Sequence, residues 1–158
     1  MNLSPHFSLA EMTRSEAATR KGFDNTPNQE QTENLKALCA NILEPIRAAV
    51  GKPIRVNSGF RGEKANASIG GSKTSQHCKG EAADIEVDGF DNLALAKKII
   101  ELKLPFDQLI VEGYNAKSGD PNSGWIHVSH KRSGAQRGEV LTATFIKGKA
   151  SYSSGLPK

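Results

Sequence analysis

The sequence predicts an α+β fold in which a mostly antiparallel sheet follows a group of N-terminal helices. Two patterns lead there. From about position 28 to 50 the apolar residues recur at three- and four-residue steps, one face of a helix, whereas from Pro53 onward short segments alternate apolar and polar residues as strands do. Helices therefore cluster early and strands late, the order of an α+β domain rather than of repeated βαβ units.

Ser8-Leu-Ala-Glu11 has capping-box spacing and predicts a short helix start, and Ser15-Glu16 predicts a second helix ending at Gly22, which tolerates a left-handed closing conformation. Leu35, Leu38, Cys39, Ile42, Leu43, Ile46 and Val50 mark the buried stripe of the long helix, closed by Gly51. Pro45 lies inside that run and removes a backbone donor, so a kink is expected there. Pro53 to Phe60, Ala82 to Val87, Gln108 to Gly113, Trp125 to Ser129 and Val140 to Ile146 read as strands, and Leu93 to Leu104 as a helix stopped by Pro105. The Ser-, Gly-, Lys- and Pro-rich residues 149–158 are expected to fray, with 1–158 forming one domain.

A chain of 158 residues, 37% hydrophobic and 24% charged, is long enough to bury a core without disulfide staples and too ordinary in composition for disorder. Two cysteines, Cys39 on the helix stripe and Cys78, make no disulfide framework and are read as reduced. The opening MNLSPHFSLAEMTRSEAATRKG lacks the apolar core of a secretory leader, and no later stretch is apolar enough to span a bilayer. Synthesis in the cytoplasm is expected, with another agent needed to reach any target beyond the membrane. The net charge of +4 is spread among carboxylates, and there is no basic stripe with interleaved aromatics, so nucleic-acid binding is not expected.

Ser75-Gln-His77-Cys-Lys-Gly80-Glu-Ala-Ala-Asp84-Ile-Glu-Val87 is the informative stretch. A histidine enters from a loop, a glycine allows a tight turn, and an aspartate stands on a strand whose other face, Ala83, Ile85 and Val87, is apolar. In Trp125-Ile-His127-Val-Ser129, Ile126 and Val128 take one face and Trp125, His127 and Ser129 the other. If the two strands are neighbours with polar faces aligned, His77, Asp84 and His127 converge as three ligands of one catalytic Zn2+, leaving a fourth position for water. Glu112, at the end of Leu109-Ile-Val-Glu112, is the candidate general base. Cys78 and His77 are chain neighbours that point to opposite sides of an extended segment, so a thiol nucleophile is not expected. His130 is read as surface or behind the ligands, and His6 has no evident partner. Trp125 is equally a cleft wall or core packing.

The pattern Ser75-x-His77-x-x-Gly80-x-Ala82-x-Asp84 followed by Trp125-x-His127 resembles the M15 peptidases, the D-alanyl-D-alanine carboxypeptidases, D,D-dipeptidases and phage L-alanyl-D-glutamate endolysins. The opening Pro5-His-Phe-Ser-Leu-Ala-Glu11 and Ser58-Gly-Phe-Arg61 also look like phage and prophage members. The resemblance implies a hedgehog/D-Ala-D-Ala peptidase-like fold, His77, Asp84 and His127 on one zinc ion, and substrate contacts from Arg61, Ser75 and Trp125. Arg61 would grip a substrate carboxylate or carbonyl, for which a guanidinium fork is suited. Many members carry an acid three positions before the last histidine, where this chain has Gly124, and Glu112 matches the acid of the branch it most resembles. The implied function is zinc-dependent hydrolysis of peptidoglycan stem or cross-link peptides by a monomeric phage or prophage lysin, acting after release or from the virion. A non-catalytic zinc-containing wall-binding module is the alternative that Gly124 leaves open.

Overall fold

Residues 1–157 are described by a computed structural model. A small hairpin, β1 (Asn2–Ser4) with β2 (Phe7–Ser8), precedes α1 (Leu9–Thr13) and α2 (Glu16–Lys21). Ser8 and Ser15 cap these helices, each hydroxyl accepting a backbone N–H, from Glu11 and Ala18, and Gly22 closes α2 at φ 70°. The hairpin was not legible because two strands this short carry no periodicity. It is held from outside: Ser4 Oγ donates to Glu44 at 2.6 Å, and His6 Nδ1 lies 2.7 Å from the same carboxylate, which gives His6 a partner.

The long apolar stripe becomes α3 (Gln29–Leu38), a π-helical turn over Cys39–Leu43, and α4 (Glu44–Val50), closed by Gly51 at φ 68°. Pro45 is accommodated by the widening. The Glu44 N–H bonds Cys39 O, five residues back, so the helix loosens just before the proline ring instead of breaking. After β3 (Arg55–Ser58) comes α5 (Glu63–Ser68), an element with no sequence signal beyond two alanines.

β4 (Ala82–Glu86), α6 (Asn92–Glu101), β5 (Gln108–Glu112), β6 (Trp125–Ser129), β7 (Glu139–Ile146) and β8 (Lys149–Ser154) complete the chain. The sheet has six strands in the order β3-β4-β6-β5-β7-β8, antiparallel throughout except between β5 and β7. This is the expected α+β architecture. One face, through Ala83, Ile85, Leu109, Val111, Ile126 and Val128, packs on Leu35, Leu38, Ile42 and Ile46 of the long helix and on Leu95 and Ile99 of α6. Period-two alternation then forces Asp84, Ile110, Glu112, Trp125 and His127 onto the opposite face.

The expectation that residues 149–158 fray is corrected for the segment 149–154. Lys147 and Gly148, at φ 52° and 80°, make a two-residue turn between Ile146 and Lys149, the twist-matched connection that continues β7 into β8. The sequence misleads because β8 is exposed along its whole length and has no buried face to impose alternation.

Candidate metal centre

His77 sits in a one-turn 3₁₀ helix, Gln76–Lys79, whose first N–H groups are met by Ser75: the Ser75 hydroxyl accepts from the His77 N–H at 3.2 Å. Ser75 borders the cleft, and this bond gives it a role in holding the histidine. The turn is anchored to α3, where Gln31 Nε2 donates to Cys78 O at 3.1 Å and Asn34 Nδ2 to Lys79 O at 2.9 Å. Asp84 lies at the centre of β4, directly opposite His127 of β6, and both are flanked by Ser58 of β3 and Ile110 of β5. Among the described residues, the ligand atoms of His77, Asp84 and His127 all fall within 4.8 Å of one another.

Proton positions around this cluster follow from its neighbours. His77 Nδ1 is 2.7 Å from Gly59 O, a carbonyl that can only accept, so Nδ1 carries the hydrogen and Nε2 is bare in the neutral ring. Gln76 Nε2 donates to the Asp107 carboxylate at 2.9 Å, which fixes the amide so that its oxygen faces His127 Nε2 at 3.3 Å. That nitrogen therefore holds the hydrogen, and His127 Nδ1 is bare. Both bare nitrogens point at Asp84 Oδ1, from 3.3 Å for His77 Nε2 and 3.1 Å for His127 Nδ1. Three lone pairs converging without a proton repel unless a cation lies among them. The edges of a tetrahedron with bonds of about 2.0–2.1 Å are roughly 3.3 Å, which the two nitrogen–oxygen separations match, and the donor types suit zinc.

The three donors line a cleft of about 730 Å³. Glu112 reaches it from the end of β5, and Trp125, its cross-strand partner, donates Nε1–H to Glu112 Oε2 at 3.0 Å. Burial raises the Glu112 pKa, as does the Asp84 charge, against the lowering effects of His127, Trp125 and Arg61. A carboxylate displaced upward in a cleft beside a metal site is suited to proton transfer. Trp125 resolves to the cleft wall, with Phe145 of β7 at a ring separation of 5.7 Å. Gly124, three residues before His127, stands at φ 69°, and a Cβ there would collide with the backbone oxygen of Glu112. An acidic side chain has no room at that position.

Arg61 also lines the cleft. Its Nη1 donates to Ser58 Oγ at 3.2 Å, and its Nε is buried without a partner among the described residues. His130, expected at the surface or behind the ligands, is instead buried away from them: Nδ1 bonds Pro105 O at 2.7 Å and Nε2 meets Asn41 at 3.2 Å. The Cys78 thiol is raised by burial, and Cys39, fully buried, is pushed up to about 12, so neither forms a ready thiolate. Sequence reasoning missed Gln76 and the buried Asp107, which bonds Arg137 at 2.7 Å. Both lie outside strand periodicity, and only the contacts across the fold reveal them.

The six-stranded sheet and the turn before β4 thus bring a His/Asp/His donor set that could hold one metal ion to the lining of a cleft. The chain belongs to the peptidase M15 family: the family model for Peptidase M15 matches residues 5–129. It is similar to the zinc D-Ala-D-Ala carboxypeptidase of Streptomyces albus G, 44% identical over 59 residues, covering 35% of this chain and 23% of the relative. The chain thus aligns with about a quarter of that relative's length. Family and donor set together imply Zn2+ as the cofactor. No helix among the described residues is long and apolar enough to cross a membrane.

Proposed function

We propose that this protein is a zinc peptidase that hydrolyses a peptide bond of the peptidoglycan stem or cross-link, working as a one-domain monomer in the service of a phage or prophage. The observation that carries the reading is the convergence of two unprotonated imidazole nitrogens on Asp84 Oδ1. The Streptomyces relative, a zinc D-Ala-D-Ala carboxypeptidase, supports the substrate class.

His77 through Nε2, Asp84 through Oδ1 and His127 through Nδ1 would hold the ion. Zinc supplies, when bound, Lewis-acid polarisation of a carbonyl and activation of water at neutral pH. The protein's own groups do the rest. Glu112 takes a proton from the attacking water at its carboxylate, for which its raised pKa makes it a better base, and delivers it to the leaving amine nitrogen, because a carboxylic acid is still a far stronger acid than a protonated amine. Arg61, with a buried and unpartnered N–H, orients the substrate by a carboxylate or carbonyl. Trp125 holds Glu112 in place and, with Phe145, walls the cleft.

The wall-binding alternative drew on the missing acid before His127. Gly124 sits where no side chain fits, and the presence of Glu112 at the cleft supports the peptidase reading over that alternative. Peptidoglycan fragments incubated with the zinc-loaded protein and analysed by mass spectrometry test the reading. Cleavage abolished by a chelator is expected, with the bond named by the fragment masses. Intact fragments with metal-replete protein would turn the assignment to a binding module.

A further inference from the structure

Between α2 and the edge strand β3 runs a second groove of about 450 Å³, which meets the metal cleft at Arg61 and Ile69, residues common to both. Its walls carry Arg14, Arg20 and Arg55 besides Arg61, against the single carboxylate of Glu16. Arg55 is compensated, with Nε 3.0 Å from Asp88 and Nη2 3.3 Å from Glu86. Arg14, Arg20 and Arg61 form no ion pair among the described residues. At the junction, the buried Arg61 Nε has no acceptor.

A buried guanidinium N–H without an acceptor is costly, and like charges gathered in one groove repel. Both penalties vanish when anions occupy the groove. Because the groove adjoins the cleft at Arg61 and Ile69, a peptide chain held at the metal has a path into it and can supply those anions. We propose that this groove is a second carboxylate subsite, in which Arg14 and Arg20 hold a free carboxylate of the substrate peptide distinct from the one that Arg61 orients. The inference rests on the peptidase reading above and adds a specificity to it: the preferred substrate carries two anionic groups, one at the junction and one further along the chain. Arg20 on α2 and Arg14, just after the end of α1, are both exposed, so the cations cost little to fold and remain available to a ligand.

The probes are a synthetic stem peptide with every carboxylate free and the same peptide with each carboxylate amidated in turn. With native protein one amidation should raise KM about tenfold, the scale of one charge-assisted hydrogen bond to the substrate, with kcat little changed. In Arg14→Ala/Arg20→Ala that KM ratio should fall to about one, while the amidation sensed by Arg61 keeps its effect. Arg20→Glu should reverse the preference and favour the amidated peptide. A ratio still near tenfold in the double variant overturns the subsite, as does a native protein indifferent to every amidation but the one read by Arg61. Calorimetric binding of the free-carboxylate peptide to the same zinc-loaded proteins separates the two readings. Binding weakened by the double substitution without turnover by any of them keeps the groove and removes the peptidase; turnover with no arginine effect does the reverse.

Discussion

Gln76 Oε1 lies 3.3 Å from His127 Nε2, on the side of the ring opposite Asp84, whose Oδ1 is 3.1 Å from Nδ1. The amide is itself fixed by Asp107, a fully buried carboxylate that accepts from Arg137 through both its backbone N–H and its guanidinium. A residue from the 3₁₀ turn thus sets the tautomer of a histidine on β6. Partners behind a ligating histidine fix its orientation and raise its basicity.

Gln76→Ala should therefore weaken zinc binding by about 10- to 100-fold while leaving the fold intact. Competition against a chromophoric chelator measures the affinity directly, independent of any turnover. An affinity equal to that of the native protein would mean that the Gln76 contact does not orient His127.

Glu112→Gln should retain zinc and lower kcat by about 10²- to 10⁴-fold. The pH profile gives a finer check. Glu112 acts as its carboxylate, so kcat/KM falls as pH drops through its raised pKa. The Trp125 N–H stabilises the charged form, so Trp125→Phe raises that pKa further and shifts the acid limb to higher pH. A limb that moves to lower pH, or stays fixed, contradicts the assignment of Glu112 as base.

Asp107→Asn should destabilise the protein by about 2 kcal/mol at neutral pH, because a buried network loses its charge while its cationic partner remains. Burial raises the Asp107 carboxyl, yet the hydrogen bonds from Arg137 outweigh it and the folded pKa is lowered. The stabilisation is then complete above the unfolded value of about 3.9 and is lost as pH falls below it toward the folded pKa. Urea melts of both proteins should differ at pH 7 and converge at low pH; a gap that widens on acidification would have the wrong sign.

What the sequence disclosed follows from how far each signal reaches along the chain. Asp84 and His127 were legible because each alternates with core residues on its own strand, so their facing the cleft follows from Ile85 and Val128 facing the helices. The caps at Ser8 and Ser15 were legible because a cap is a three-residue event. Arg137 meets Asp107 across 30 residues, and Arg14 shares the lining of one groove with Arg61, arrangements without any local pattern. The β7–β8 hairpin was missed for the converse reason: its turn, Lys147-Gly148, was present in the sequence, but an exposed strand resembles a tail.

Gly124 distinguishes a backbone constraint from a packing constraint, and a comparison with Gly89 separates them. Both residues have φ in the left-handed region, 69° and 74°. An alanine Cβ at Gly89 would meet nothing within 4 Å, whereas one at Gly124 would collide with Glu112 O and lie 2.6 Å from Gly113 C, both backbone atoms that cannot swing aside. Gly89→Ala should then cost about 1 kcal/mol, the left-handed penalty alone. Gly124→Ala should cost roughly 3 kcal/mol or more, because it adds displacement of the β5 end to that penalty. Since the displaced carbonyl belongs to Glu112, the same substitution should also lower kcat, while zinc affinity, set by β4, β6 and the 3₁₀ turn, changes far less. Equal thermal shifts for the two alanine variants would show that the strand end yields freely and that the glycine is there for its dihedral angle only.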